Sequence, residues 1–154
     1  MNIVVFSGAG ISMDSGIPSM DDPNGIFMKY PKHITQKDAW KEDWTTFKSF
    51  WDELKAFILS PLIQPNQAHK DLVELENLID GKLTIITTNI DDLHTRAGSK
   101  EVLHIHGIIT QDRQIDKNKS FPNCVLFGEN KRFSYEVNKV IKNANLFVSV
   151  GSSL

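Results

Sequence analysis

The sequence predicts an α/β fold built on a mainly parallel sheet, and three observations carry that reading. Four short runs rich in β-branched and aromatic residues, at 3–7 (IVVFS), 83–87 (LTIIT), 102–105 (VLHI) and 146–150 (LFVSV), have the length and composition of buried strands. Helix-like stretches separate most of them, and strands alternating with helices favour parallel pairing. A glycine turn, Gly8-Ala9-Gly10, follows the first run directly.

Each element has a local reason. Residues 15–32 contain three prolines and two glycines, which makes them a loop. A connection of that length is more often functional than idle. From 37 to 59, Trp40, Trp44, Phe47, Phe50, Trp51, Leu54, Phe57 and Ile58 recur at three- and four-residue steps. That spacing predicts one amphipathic helix or two, the core of a small helical subdomain inserted after the first strand. Pro61 and Pro65 end it, and Asn66 can cap a second helix reaching residues 76–78, with Gly81 as its stop. Beyond the third strand come a polar stretch at 110–120, a brief VLF run, a helix around 135–143 and the fourth strand.

A length of 154 residues suits one domain, two at most, and neither a repeat nor a clear linker divides it. The chain is 40% hydrophobic and 23% charged, so disorder as the dominant state is excluded. Seventeen Lys+Arg against nineteen Asp+Glu leave a net charge of -2, with nothing to draw nucleic acid or an anionic membrane. The lone cysteine, Cys124, supports neither an internal disulfide nor a cysteine-built zinc site. No apolar run approaches the ~18 residues of a membrane span. The opening MNIVVFSGAG lacks the basic start of a signal peptide, so a soluble, reducing, cytoplasmic setting is the expectation.

The chemistry concentrates at three places. Backbone at Gly8 and Gly10 could approach a phosphate closely, although Met13 stands where a dinucleotide fingerprint has its third glycine; a tight turn without a ligand is the plain alternative. Residues 87–94 (TTNIDDLH) follow a strand at its C-terminal end, where open α/β sheets bind ligands. Asn89 and Asp91 could present an amide and a carboxylate there, and helix capping would account for one of the two. His104 and His106, two apart on the predicted third strand, should share a face. Two histidines alone are too few for a metal. His106, at the strand end before Gly107, is the better general base, because histidine titrates near neutral pH.

Taken in order, seven blocks resemble the sirtuins, the NAD-dependent protein deacylases. They are Gly8-Ala9-Gly10-Ile11-Ser12 with Ser15-Gly16-Ile17-Pro18, Pro65-Asn66 with Ala68-His69, Thr88-Asn89-Ile90-Asp91, Leu93-His94 with Ala97-Gly98, His106-Gly107, Val125-x-Phe127-Gly128-Glu129, and Gly151-Ser152-Ser153-Leu154. The resemblance implies a Rossmann-like sheet and one NAD-binding domain over residues 1–154, with NAD as co-substrate. It implies that the turn at Gly8, Ala9, Gly10 and Ser12 meets the NAD phosphates and that Ile17-Pro18 opens the mobile cofactor loop. Asn89 would position the nicotinamide ribose, flanked by Thr88 and Ile90, and Asp91 would hold the nicotinamide carboxamide. His106 would be the catalytic base, acting on a ribose hydroxyl once the acyl oxygen of an acyl-lysine has displaced nicotinamide. The products would be deacylated lysine and acyl-ADP-ribose. Val125, Phe127 and Gly128 would grip the acyl-lysine peptide by backbone pairing, and Gly151, Ser152 and Ser153 would meet the adenosine side.

The chain departs from the family pattern in four ways. Ser19-Met20-Asp21 stands where Asp-Phe-Arg usually follows Gly-Ile-Pro, exchanging a ribose-shielding phenylalanine for Met20 and an arginine for Asp21. Thr88 replaces a glutamine. Residues 108–123 contain none of the four zinc-binding cysteines, so no zinc is expected. The sequence ends at Leu154, where relatives continue with a further clamp segment, strand and helix, so it reads as a C-terminally short form. Deacylation of an acyl-lysine protein or peptide is the leading reading. An NAD glycohydrolase or ADP-ribosyltransferase is the alternative, and an inactive NAD- or ADP-ribose-binding remnant the third.

Overall fold

A computed structural model describes residues 1–152. β1 (Asn2–Ser7), β2 (Lys82–Thr87), β3 (Val102–His104) and β6 (Leu146–Val150) form a parallel sheet in the order β3-β2-β1-β6. β1 and β2 are buried almost throughout, as continuous Val/Ile/Leu-rich runs in a sheet covered on both faces should be. Ile3, Val5, Leu83 and Ile85 face one side, packed by Leu72, Leu75 and Ile79 from and just after α4 (Gln67–Leu78). Val4 and Ile86 face the other, with Val137 and Val140 of α6 (Ser134–Lys142) beneath them. The result is three layers, Rossmann-like, as the alternation of elements predicts.

A separate apolar cluster makes the helical subdomain. Asp43 accepts the Thr46 backbone N–H at 3.0 Å and so splits the aromatic-rich region into α2 (Ala39–Glu42) and α3 (Trp44–Ile58). Phe47, Phe50, Trp51, Leu54 and Ile58 of α3 are buried against Phe121 and Leu126. Asn66 caps α4 as predicted, completing a reciprocal capping box with His69. Its amide also donates to Ile11 O at 2.7 Å and Ser15 Oγ at 2.9 Å, tying α4 to the short helix α1 (Gly10–Met13).

Two expectations are corrected. The polar stretch at 110–120 is an antiparallel hairpin, β4 (Gly107–Asp116) with β5 (Lys119–Cys124). Its register shifts between Ile108 and Asp112 and again between Gln114 and Asp116, breaking the two-residue alternation by which strands are recognised. The third strand stops at His104; residues 105 and 106 form a turn, and Gly107 takes φ +83° to start β4. His104 and His106 therefore do not share a strand face. Among the described residues, no helix is long and apolar enough to cross a membrane.

Candidate active site

The C-terminal ends of β1 and β2 meet at one edge of the sheet, and the loops leaving them are interlocked. Ser12, in α1, donates its hydroxyl to Asp91 Oδ2 at 2.9 Å and accepts from Asn89 Nδ2 at 3.2 Å. Asn89 Nδ2 also reaches Gly8 O at 3.1 Å, and its backbone N–H is held by Thr87 Oγ1. Asp91 uses its other oxygen to accept the Leu93 N–H at 3.0 Å, at the start of α5 (Leu93–Ala97). One oxygen of this carboxylate thus steadies the chain entering α5 and the other joins the Ser12 network, while the N-cap residue itself, Asp92, makes no side-chain cap bond. Thr88 closes the joint from β2, its N–H on Ser7 O at 3.1 Å.

The glycine turn is dictated by backbone packing. A Cβ on Gly8 would stand 2.7 Å from Gly151 O, and one on Gly10 2.8 Å from Gly151 Cα. Gly151, at φ +61°, closes the far side of the contact. Gly8 N–H donates to Val150 O and Gly10 N–H to Gly151 O, while Ile11 and Ser12 N–H close local turns on Gly8 O and Ala9 O. Ala9 N–H is left without a partner among the described residues, and Ala9 lines the cavity.

That cavity encloses about 1210 Å³, above the roughly 300–1,000 Å³ usual for small-molecule sites. Ala9, Ser12, Ile17, Pro18, Thr88, Asn89, Ile90, Asp91, His106, Val125, Phe127 and Gly128 all line it. Gly8, Gly10, Gly151 and Ser152 are not among the lining residues, and Ser153 lies outside the described residues. His106 reaches the cavity from the turn before Gly107, and its carbonyl accepts the Val125 N–H at 2.7 Å. Burial first, and then the Lys131 ammonium, push the His106 imidazole below its ordinary range, against the pull of the Thr88 backbone. It is therefore neutral at neutral pH and able to accept a proton.

His104 is buried and absent from the lining; its Nδ1 meets Asn89 O at 3.2 Å, so it supports the Asn89 backbone. A deeper histidine pair escapes any reading by spacing. His94 Nε2 contacts Ser7 Oγ at 2.9 Å, and its ring packs edge-on to His69 at 4.9 Å. Burial, then the neighbouring His69 and His104, push His94 down to about 3. Cys124 is buried, and desolvation pushes its thiol up to about 12, so it is inert.

In the segment 125–128, Phe127 has already committed its backbone: its N–H goes to Thr35 O at 2.9 Å and its carbonyl accepts Lys37 N–H at 3.0 Å. A peptide pairing here has Gly128 and the Val125 carbonyl to use. Behind them Glu129 Oε2 accepts both the Leu126 N–H (2.9 Å) and the Arg113 guanidinium (2.6 Å), which reaches over from the hairpin. Glu129 belongs to the Val125-x-Phe127-Gly128-Glu129 block, but Arg113 does not stand out by spacing; their meeting depends on the hairpin register.

Residues 8–121 match the sequence pattern of the Sir2 family. The chain belongs to that family. A sirtuin from Trypanosoma brucei brucei, the NAD-dependent protein deacylase SIR2rp3, is 34% identical, over 98% of this chain and 72% of its own length. A solved Sir2 homologue–NAD complex superposes with a TM-score of 0.82 at 28% identity, covering 99% of this chain and 68% of that one. A histidine-to-alanine Sir2 variant with a deacetylated p53 peptide and 3′-O-acetyl ADP ribose is similar too, with a TM-score of 0.80 and 31% identity over 98% of this chain and 71% of that one. Ala9, Asn89 and Asp91 line one cavity of the sirtuin fold of this chain.

Proposed function

We propose that this chain is an NAD-dependent protein deacylase that removes acyl groups from lysine side chains and releases nicotinamide. The observation that carries the reading is the joining, in one cavity, of the Asn89–Ser12–Asp91 network, the neutral His106 and the segment 125–128. NAD supplies the ADP-ribosyl group that receives the acyl oxygen. Asn89 holds the nicotinamide ribose, Asp91 orients the carboxamide, and His106 takes a proton from a ribose hydroxyl. Ala9 donates its free N–H to a phosphate, with Gly8, Gly10 and Ser12 shaping the turn. Gly151 and Ser152 face the adenosine side; Ile17 and Pro18 with Thr88 and Ile90 wall the nicotinamide end. Val125, Phe127 and Gly128 seat the acyl-lysine peptide. Residues 1–154 act as one NAD-binding domain in a reducing, cytoplasmic setting, where a free thiol such as Cys124 persists.

A specific observation favours a second reading, NAD glycohydrolysis or ADP-ribosyl transfer. Met20 and Asp22 line the cavity at the loop where relatives resembling this sequence shield the ribose, and Met20 is 47% exposed. Incubation with NAD and an acetyl-lysine peptide, with nicotinamide and deacetylated peptide assayed separately, tests both. Equal amounts of the two products are expected. Nicotinamide without deacetylated peptide would transfer the assignment to the second reading, and NAD binding without either product would leave a binding remnant.

A further inference from the structure

Two lysines with unanswered charges flank the segment 125–128. Gln36 bridges to Phe127, and the next residue, Lys37, donates its backbone N–H to Phe127 O at 3.0 Å. The Lys37 stem lies along the exposed Gly128: a Cβ there would stand 3.1 Å from Lys37 Cδ and 3.6 Å from its Cε. Lys131 follows three residues later, exposed, and lines the cavity with His106, Val125 and Gly128. Neither ammonium has a hydrogen bond or an ion pair among the described residues, whereas Lys29, Lys41, Lys48, Lys55 and Lys82 are all paired with carboxylates.

The carboxylates around them are already engaged. Glu129 pairs with Arg113 at 2.6 Å, and Asp38, next to Lys37 in the chain, accepts from Lys41 Nζ at 2.8 Å. Of the other carboxylates in the lining, Glu53 pairs with Lys29 at 2.6 Å and Asp91 is buried on Ser12 and Leu93. Asp22 accepts the Asn24 N–H at 2.8 Å, in the loop that follows Pro18. The chain as a whole carries a net charge of -2, so a positive rim here is local and not a share of a general excess. Since neither ammonium ties one element to another, folding gives no account of the two charges.

We propose that Lys37 and Lys131 select acyl-lysine peptides that carry Asp or Glu within two positions of the modified lysine. The inference rests on the deacylase reading above and narrows its substrate class. An extended peptide advances about 3.3 Å per residue, so such neighbours pass within about 7 Å along the segment, a span that a flexible four-carbon stem covers. An exposed ion pair strengthens binding by up to about fivefold, and complementary charge favours the right partner over a like-charged one. Lys or Arg in the same peptide positions would meet like charge instead.

One peptide centred on a lysine, acetylated or unmodified, and flanked by Asp, Asn or Lys tests the proposal by calorimetric binding to the full chain. At low ionic strength the acetylated Asp form should bind about fivefold tighter than the Asn form, and the Lys form more weakly than both. In about 1 M salt, where charges are screened beyond about 3 Å, the three should converge. Lys37→Gln with Lys131→Gln should bind the Asp and Asn forms alike, and Lys37→Glu with Lys131→Glu should reverse the order to favour Lys flanks. Both side chains are exposed, and circular dichroism checks that each variant is folded. An Asn form as tight as the Asp form, a preference unmoved by salt, or an unchanged order in the folded Glu variant would overturn the inference while acetyl-lysine still outbinds bare lysine. If acetylation adds nothing with any flank, the deacylase reading falls and the inference with it.

Discussion

Ser12 and Asp91, 79 residues apart in the chain, share one buried hydrogen bond of 2.9 Å that locks the glycine turn after β1 to the loop after β2. Ser12 is the hub, since it also accepts the Asn89 amide. Ser12→Ala leaves Asp91 Oδ2 and one Asn89 proton unpaired in a buried position, which costs about 1–3 kcal/mol of stability. Urea unfolding should show that loss, and nicotinamide release should slow as Asn89 and Asp91 lose their common support. An unchanged midpoint with unchanged release would remove Ser12 from the site.

His106 and Asp91 should fail differently. His106→Ala should lower deacylation by about 10²–10⁴-fold and leave NAD affinity in place. In Asp91→Asn the amide oxygen can still accept the Leu93 N–H, so the fold stays, while nicotinamide orientation and release suffer. Wild-type activity in His106→Ala would end the deacylase assignment.

The pH–rate profile follows from the same histidine. Burial holds its imidazole below the ordinary value of 6.5, and the base must be neutral to act. The rate should rise with pH through a midpoint below 6.5 and be flat near neutrality. A midpoint above 6.5 would contradict the burial seen here.

Stability should fall in mild acid for a separate reason. His94 is held down to about 3, and burial lowers His69 and His104 as well. Between pH 6.5 and the folded values the unfolded chain binds protons that the folded chain refuses, so unfolding becomes easier as pH falls. Each such histidine adds up to about 1.4 kcal/mol per pH unit to the slope. Urea midpoints from pH 7 to 5 should decline, and His94→Gln should flatten the decline; a midpoint independent of pH across that window would refute the neutral cluster.

Arg113 should matter to peptide more than to NAD. Its pair with Glu129 is about a quarter exposed on each side, so Arg113→Ala should cost only about 1 kcal/mol of stability. Glu129, still bound to Leu126 N–H, then loses its anchor to the hairpin, and KM for the acyl peptide should rise several-fold with KM for NAD unchanged. Arg113→Lys should recover part of the loss. Equal changes in both constants would make the pair a general stabiliser.

What the sequence determined by itself is what neighbours in the chain decide. Runs such as IVVFS and LTIIT combine β-branched residues and low polarity as interior strands do, Asn66 announces its helix by capping chemistry, and short motifs around Gly8, Asn89 and His106 mark the candidate site. The tertiary structure alone decided the rest. The hairpin at 107–124 was hidden because its irregular register scrambles the alternation that betrays a strand. The spacing of His104 and His106 predicts a shared strand face, yet the turn before Gly107 buries one behind Asn89 and turns the other into the cavity. Trp51 and Leu54 read as ordinary core, because a helix's apolar face has the same spacing whether it meets another helix or an open cavity. Periodicity records that a face avoids water; what that face meets depends on how distant segments pack around it.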